Sequence, residues 1–173
     1  IEKMAKASDA LKTVQFRHTP RADLPGLPAI VIGGIIGGLT RDYITWRPAM
    51  VPDFCTLEVD VRLAPDMTLE STVQDIRKVL DAVAASDPDF SYEIELPPAP
   101  YRKPFQAMAL FMPPNDLPVD HALAQSCRRL HRELTGKEPG MGVFIPGSYA
   151  GADTGHLAEF GTKCLNYGPS DHS

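Results

Sequence analysis

The sequence predicts an α+β chain: a ferredoxin-like split βαβ layer whose first strand is missing, followed by a stretch of α/β character. Three observations carry this. Apolar and polar side chains alternate from Cys55 to Leu63, an apolar period of helical spacing runs from Leu69 to Val83, and seven prolines between Pro97 and Pro118 divide the chain into two stretches of different texture.

Taken in order, Ile1, Met4, Ala7 and Leu11 recur at helical spacing, so residues 1–12 read as the back half of a helix. A polar loop rich in Pro, Arg and Asp comes next. Residues 28–39 are dense in Ile and Val and suit a buried strand, interrupted by Gly33-Gly34 and Gly37-Gly38, where a bulge or bend is expected. In the next strand Cys55, Leu57, Val59, Val61 and Leu63 face one side, and Thr56, Glu58, Asp60 and Arg62 the other. Thr68 is placed to cap a helix with apolar positions Leu69, Val73, Ile76, Leu80 and Val83, and Asp87-Pro88 should end it. Tyr92, Ile94 and Leu96 alternate with Ser91, Glu93 and Glu95, the pattern of a further half-buried strand. Both helices should then cover the Leu57/Val59/Val61 face of an antiparallel sheet and leave the Glu58/Asp60/Arg62 stripe open.

Beyond the prolines, Pro118 should open a helix carrying Val119, Leu123, Cys127, Leu130 and Leu134 on one face, closed by Gly136. Gly142 to Ile145 reads as a short strand, residues 153–160 as a short helix and Lys163 to Tyr167 as another strand. The expected division is residues 1–105 for the first domain and 106–173 for an incomplete second one.

Composition bounds the function. Apolar residues make up 43% and charged residues 23% of the 173, an ordinary globular balance, and the formal net charge is −5. A phosphate-binding surface needs clustered Lys and Arg, so nucleic acid is not an expected partner. The run from Leu27 to Leu39 holds one proline and four glycines and is too short to span a bilayer, so no membrane is expected either. Ile1-Glu2-Lys3-Met4 shows neither an initiator Met nor a signal-peptide core and reads as a cut inside an existing element. Cys55, Cys127 and Cys164 are odd in number and far apart, as expected of buried free thiols in the cytoplasm.

Single motifs do not name a chemistry. The Gly33–Gly38 run fits neither phosphate-binding fingerprint, and a structural bulge explains it better. In Gly147-Ser148-Tyr149-Ala150-Gly151 the tyrosine, not the serine, is central, which is the wrong order for a nucleophile elbow. The five histidines, His18, His121, His131, His156 and His172, include no i,i+4 pair, and Asp153 with His156 is a common helix-start spacing.

Their order along the chain says more. Val51-Pro52-Asp53 through Asp60-Val61-Arg62, followed by Thr68-Leu69-Glu70, resembles the lid motif of the M20 metallopeptidases and deacylases, the acetylornithine deacetylase and succinyl-diaminopimelate desuccinylase kind. There a Pro opens a strand that ends in Asp/Asn-x-Arg. Downstream, Leu134 to Pro139, Gly151-Ala152-Asp153-Thr154-Gly155-His156-Leu157 and Asn166-Tyr167-Gly168-Pro169-Ser170 resemble the helix end, the Gly-x-Asp turn and the Gly-Pro turn of that family, in family order.

The resemblance implies the lid-and-dimerisation half and the tail of the catalytic half of a zinc-dependent amidohydrolase. In such an enzyme a metal-activated water attacks the amide of an N-acyl amino acid or small peptide. It also implies a homodimer formed through the lid. Arg62 matches a lid arginine that contacts the substrate carboxylate, and a guanidinium fork on an exposed sheet face suits a planar anion. Gly151 and Asp153 match the turn lining the substrate pocket, and His172 is the candidate for the last metal ligand. The base and the remaining ligands are expected upstream of Ile1, so these residues by themselves should bind no zinc and should not catalyse. Ala49 stands where the family has a substrate-contacting Asn. The competing reading is a non-enzymatic ferredoxin-like dimerisation or regulatory module, which accounts for residues 1–96 but not for the two downstream turns.

Overall fold

The computed structural model of the chain describes residues 1–22, 24–44, 49, 51–96, 111–141 and 153–168. Its elements are α1 (Glu2–Leu11), β1 (Ala29–Gly38), β2 (Phe54–Arg62), α2 (Leu69–Ser86), α3 (Ala122–Thr135) and α4 (Thr154–Glu159). They fall into two compact units. The first takes residues 1–18, 28–62 and 67–111; the second takes 19–27, 63–66 and 112–173.

In the first unit, β1 and β2 form an antiparallel ladder in which Ile30 lies opposite Val61, Ile32 opposite Val59, and Gly34 opposite Glu58. The register slips between Ile32 and Gly34, so the first glycine pair is the expected bulge. That slip brings Ile35 opposite Leu57, on the same face as Ile32. One face is covered. Ala7 and Leu11 of α1, Leu80 of α2 and Phe90 form the buried centre, and Leu57, Val59, Ile30 and Ile32 of the strands pack against it together with Ile76, Val83, Tyr92 and Ile94. α1 lies against both strands and against α2.

The helix ends obey local chemistry. Thr68 Oγ1 accepts from the Ser71 amide at 3.1 Å and Ser71 Oγ accepts from the Thr68 amide at 3.1 Å, a reciprocal cap on α2. At the other end Asp87 is extended, as the residue before Pro88 must be. Its carboxylate receives Lys3 Nζ at 2.6 Å and Lys6 Nζ at 3.3 Å, tying α1 to the end of α2. Nearby, Asp75 is buried and takes the amide and Nε of Arg17 at 2.9 and 2.8 Å.

Two expectations for this unit need correcting. Residues 91–96 are not a strand: Tyr92 and Ile94 do turn toward the core, but no described strand ladders with this segment. A split βαβ layer sets its last strand beside its first, and within these residues the pattern opens on α1. Likewise β1 is not a buried strand, since Val31, Ile35 and Ile36 are exposed. β1 pairs only with β2 among the described residues, and an edge strand keeps less cover than a central one.

The second unit holds α3 and α4. α3 begins four residues later than its proline suggested. His121 is the N-cap, its Nδ1 accepting from the Leu123 amide at 3.1 Å, while the Pro118 carbonyl accepts from the His121 amide. Gly136 ends it in the left-handed conformation, with φ of 69°. The expected apolar stripe is not covered: Leu123, Leu130 and Leu134 of α3 are exposed, and so is Val119, which lies ahead of the helix. α4 falls where a short helix was expected, but residues 162–168 are not a strand. They are held instead by side chains, with Asn115 Nδ2 donating to the Cys164 carbonyl at 3.1 Å and His131 Nδ1 2.7 Å from the Tyr167 hydroxyl. The predicted strand at 142–145 lies outside the described residues.

Candidate functional site on the open face of the sheet

Alternation along β2 places Thr56, Glu58, Asp60 and Arg62 on the face away from the core, because Leu57 and Val59 pack into it. Arg62 is therefore where its sequence position put it. Its Nη2 lies 2.7 Å from Asp60 Oδ2, with the two side chains 41% and 50% exposed. Across the ladder Arg62 faces Ala29 and Asp60 faces Val31. Neither neighbour offers a side-chain hydrogen bond, so the polar contact between Arg62 and Asp60 runs along β2. Gly34 makes room for the next member of the stripe, since a Cβ there would sit 3.1 Å from Glu58 Oε2.

The turn after β1 closes this face at the far end. Gly38 is buried against the backbone of Tyr43, and Leu39 pairs with Ile44 to fold the turn back. Thr40 and Tyr43 both have positive φ, 56° and 54°, an uncommon conformation for such residues. It is held by the Asp53 carboxylate on the Thr40 amide at 2.8 Å and by Tyr43 Oη against Thr56 Oγ1 at 2.5 Å. Arg41 stacks 4.9 Å over the Phe54 ring and reaches Glu95 at 2.9 Å and Glu93 at 3.4 Å. That clamp was missed in the sequence. Its only trace is the outward phase of Glu93 and Glu95.

The other candidates are less informative. Gly151 and His172 lie outside the described residues. Asp153 is exposed at the N-cap of α4, and its side chain makes no capping hydrogen bond there. Beside it, Gly155 stands within the quoted Gly-x-Asp turn, where the sequence pattern assigns it no role of its own. A Cβ there would lie 1.8 Å from the Pro113 carbonyl oxygen, so only glycine lets α4 approach that segment. A glycine inside a helix is unfavourable, and such a placement is the available signal. Cys55, Cys127 and Cys164 are free but only partly buried. Burial pushes the Cys55 thiol up, which disfavours its thiolate.

Among the described residues no three His, Cys, Asp or Glu side chains converge as a metal centre requires. A cleft of about 190 Å³ in the second unit is lined by Thr19, Arg21, Pro65, Asp66 and Asp116. Its arginine is already paired with Asp116 at 2.6 Å, and the volume falls below that of ordinary ligand pockets.

Among the described residues, two helices cover one face of a two-stranded antiparallel sheet and charged side chains line the other, which is an α+β arrangement. Residues 1–88, half of the chain, match the M20 peptidase dimerisation domain, and the chain belongs to that family. No curated protein and no solved structure matches it.

Proposed function

We propose that this chain is the lid-and-dimerisation part, with the C-terminal segment of the catalytic part, of a cytoplasmic zinc-dependent amidohydrolase acting on N-acyl amino acids or small peptides. The observation that carries the reading is the position of Arg62. Within the matched family domain it emerges on the open sheet face, where a guanidinium can meet a planar carboxylate. The chain's own share of the work is binding. Arg62 orients the carboxylate end of the substrate, and Gly151 and Asp153 line the pocket around the scissile group. Zinc ligands and the general base belong to residues other than the described ones, with His172 the one ligand this chain would add.

A homodimer through the lid is part of the same proposal. β1 offers a strand edge with no described partner, and it leaves Val31, Ile35 and Ile36 exposed around that edge. Pairing with a second copy would satisfy its backbone and cover those side chains.

The test is hydrolysis of a panel of N-acyl amino acids and dipeptides by the intact protein, before and after chelation and with zinc restored. Release of free amine that disappears with the metal and returns with zinc is expected. Absence of hydrolysis across the panel, with the protein folded and zinc-loaded, would sink the enzymatic reading.

A further inference from the structure

We infer that Asp60 is the positioning residue for Arg62, supplying a hydrogen-bond acceptor that aims the guanidinium at an incoming carboxylate. This rests on the proposed contact between Arg62 and the substrate carboxylate. Three features of the site carry it. The two residues are two apart on one strand, so the pleat puts both on the same face, and Asp60 Oδ2 stands 2.7 Å from Arg62 Nη2. Their neighbours across the ladder, Ala29 and Val31, are apolar and short, so β1 offers the guanidinium no competing side-chain acceptor at this point. Both side chains are about half exposed, and an ion pair in that setting contributes little to stability, so folding does not account for it. What the pair does is restrict rotamers. A free arginine spreads over many, and each one excluded before binding is entropy the complex need not lose.

The acceptor, not the charge, is what this role requires. Asp60→Ala removes it; Asp60→Asn keeps an oxygen at the same reach and drops the charge. The experiment measures kcat and KM in the intact protein for the best substrate of an N-acyl amino acid panel and for the carboxamide of that same compound. The variants are Asp60→Ala, Asp60→Asn, Arg62→Ala and Asp60→Ala/Arg62→Ala. Asp60→Ala is expected to raise KM for the free acid about three- to tenfold with kcat little changed, and to leave the carboxamide unaffected. Asp60→Asn should stay within about twofold of the parent. The double variant should match Arg62→Ala alone, because a residue that acts through another has no effect once its partner is gone.

The failures are separable. If Arg62→Ala leaves the acid-to-carboxamide preference intact, the carboxylate contact itself is wrong and the inference goes with it. If Arg62→Ala abolishes the preference but Asp60→Ala does nothing, or adds its full effect on top of Arg62→Ala, only the positioning role falls. Equal losses for Asp60→Ala and Asp60→Asn also overturn it, since they would mean the charge is what acts.

Discussion

Arg62 leaves its strand on the side away from the helices, where removing its side chain opens no cavity in the core. Surface truncations of that kind usually cost less than about 0.5 kcal/mol, whereas a charge-assisted contact to a carboxylate is worth roughly 1.5–3 kcal/mol. On the proposed function, Arg62→Ala in the intact protein should therefore lower kcat/KM by about ten- to a hundredfold with the melting temperature nearly unchanged. Arg62→Lys should recover only part, because a point charge does not reproduce the fork. A large fall in melting temperature with activity per folded molecule retained would return Arg62 to a structural role. Asp75 is the opposite case. It is buried and takes two hydrogen bonds from Arg17. Asp75→Ala should cost about 1–3 kcal/mol of stability by leaving those donors with water or nothing, and should not change KM. Chemical denaturation of the variant beside the parent measures it.

At the scale of elements, the hairpin contains one close backbone approach, and one cluster of charges adds to the apolar packing between α1 and α2. A Cβ on Gly38 would stand 2.4 Å from the Tyr43 carbonyl carbon, and backbone cannot swing aside as a side-chain tip can. Gly38→Ala should destabilise the first unit by about 1–3 kcal/mol, seen as a lower denaturation midpoint. Between α1 and α2, the hydrogen bond from Lys3 holds the Asp87 carboxyl below its ordinary value of 3.8, while the same bond raises Lys3 above 10.5. A lowered carboxylate contributes stability above its unfolded value and loses it as pH falls through the folded one. A raised lysine contributes below 10.5 and loses it as pH climbs past. Tyr92, pushed up to about 12 by burial first and the Asp81 carboxylate second, loses its share on the alkaline side too. The acid limb is thus the one that isolates Asp87: Asp87→Asn should flatten the fall in melting temperature below about pH 4. An unchanged acid limb would mean that the lysines contribute nothing there. The same elements show what was legible in the sequence. α2 was readable from Thr68 to Pro88 because its cap, period and stop are all local, and the facing of Leu57 against Arg62 because the pleat has a period of two. The lack of a strand ladder at 91–96 and the exposure of β1 were not readable, since alternation fixes a facing but names no neighbour. On the open face Arg62 was found through its strand phase. The close approach at Gly155 and the Arg41 clamp were missed because each depends on a contact distant in sequence.

For the whole molecule, association and metal content depend on different parts of the chain and can be read from one sample. An edge strand with exposed Val31, Ile35 and Ile36 is a surface that a soluble protein normally pairs or blunts, and residues 1–88 belong to a dimerisation-domain family. The second unit adds exposed Leu130, Leu134 and Phe160, the last two at 85% and 87%. Apolar exposure on that unit favours non-specific association rather than a defined pair, because no described strand edge there sets a register. Purified alone, the chain should therefore elute as a species of twice its 18.9 kDa, with light scattering giving the mass. Leu134→Lys should leave that dimer intact, whereas loss of the dimer in this variant would move the interface to α3. Metal analysis of the same peak should find no stoichiometric zinc. Closed zinc sites take four ligands and catalytic ones about three, and the described residues bring no such group together. One zinc or more per chain, retained through gel filtration at neutral pH, would mean that ligands assemble from residues such as His172. It would also mean that this chain carries more of a metal centre than the lid reading allows.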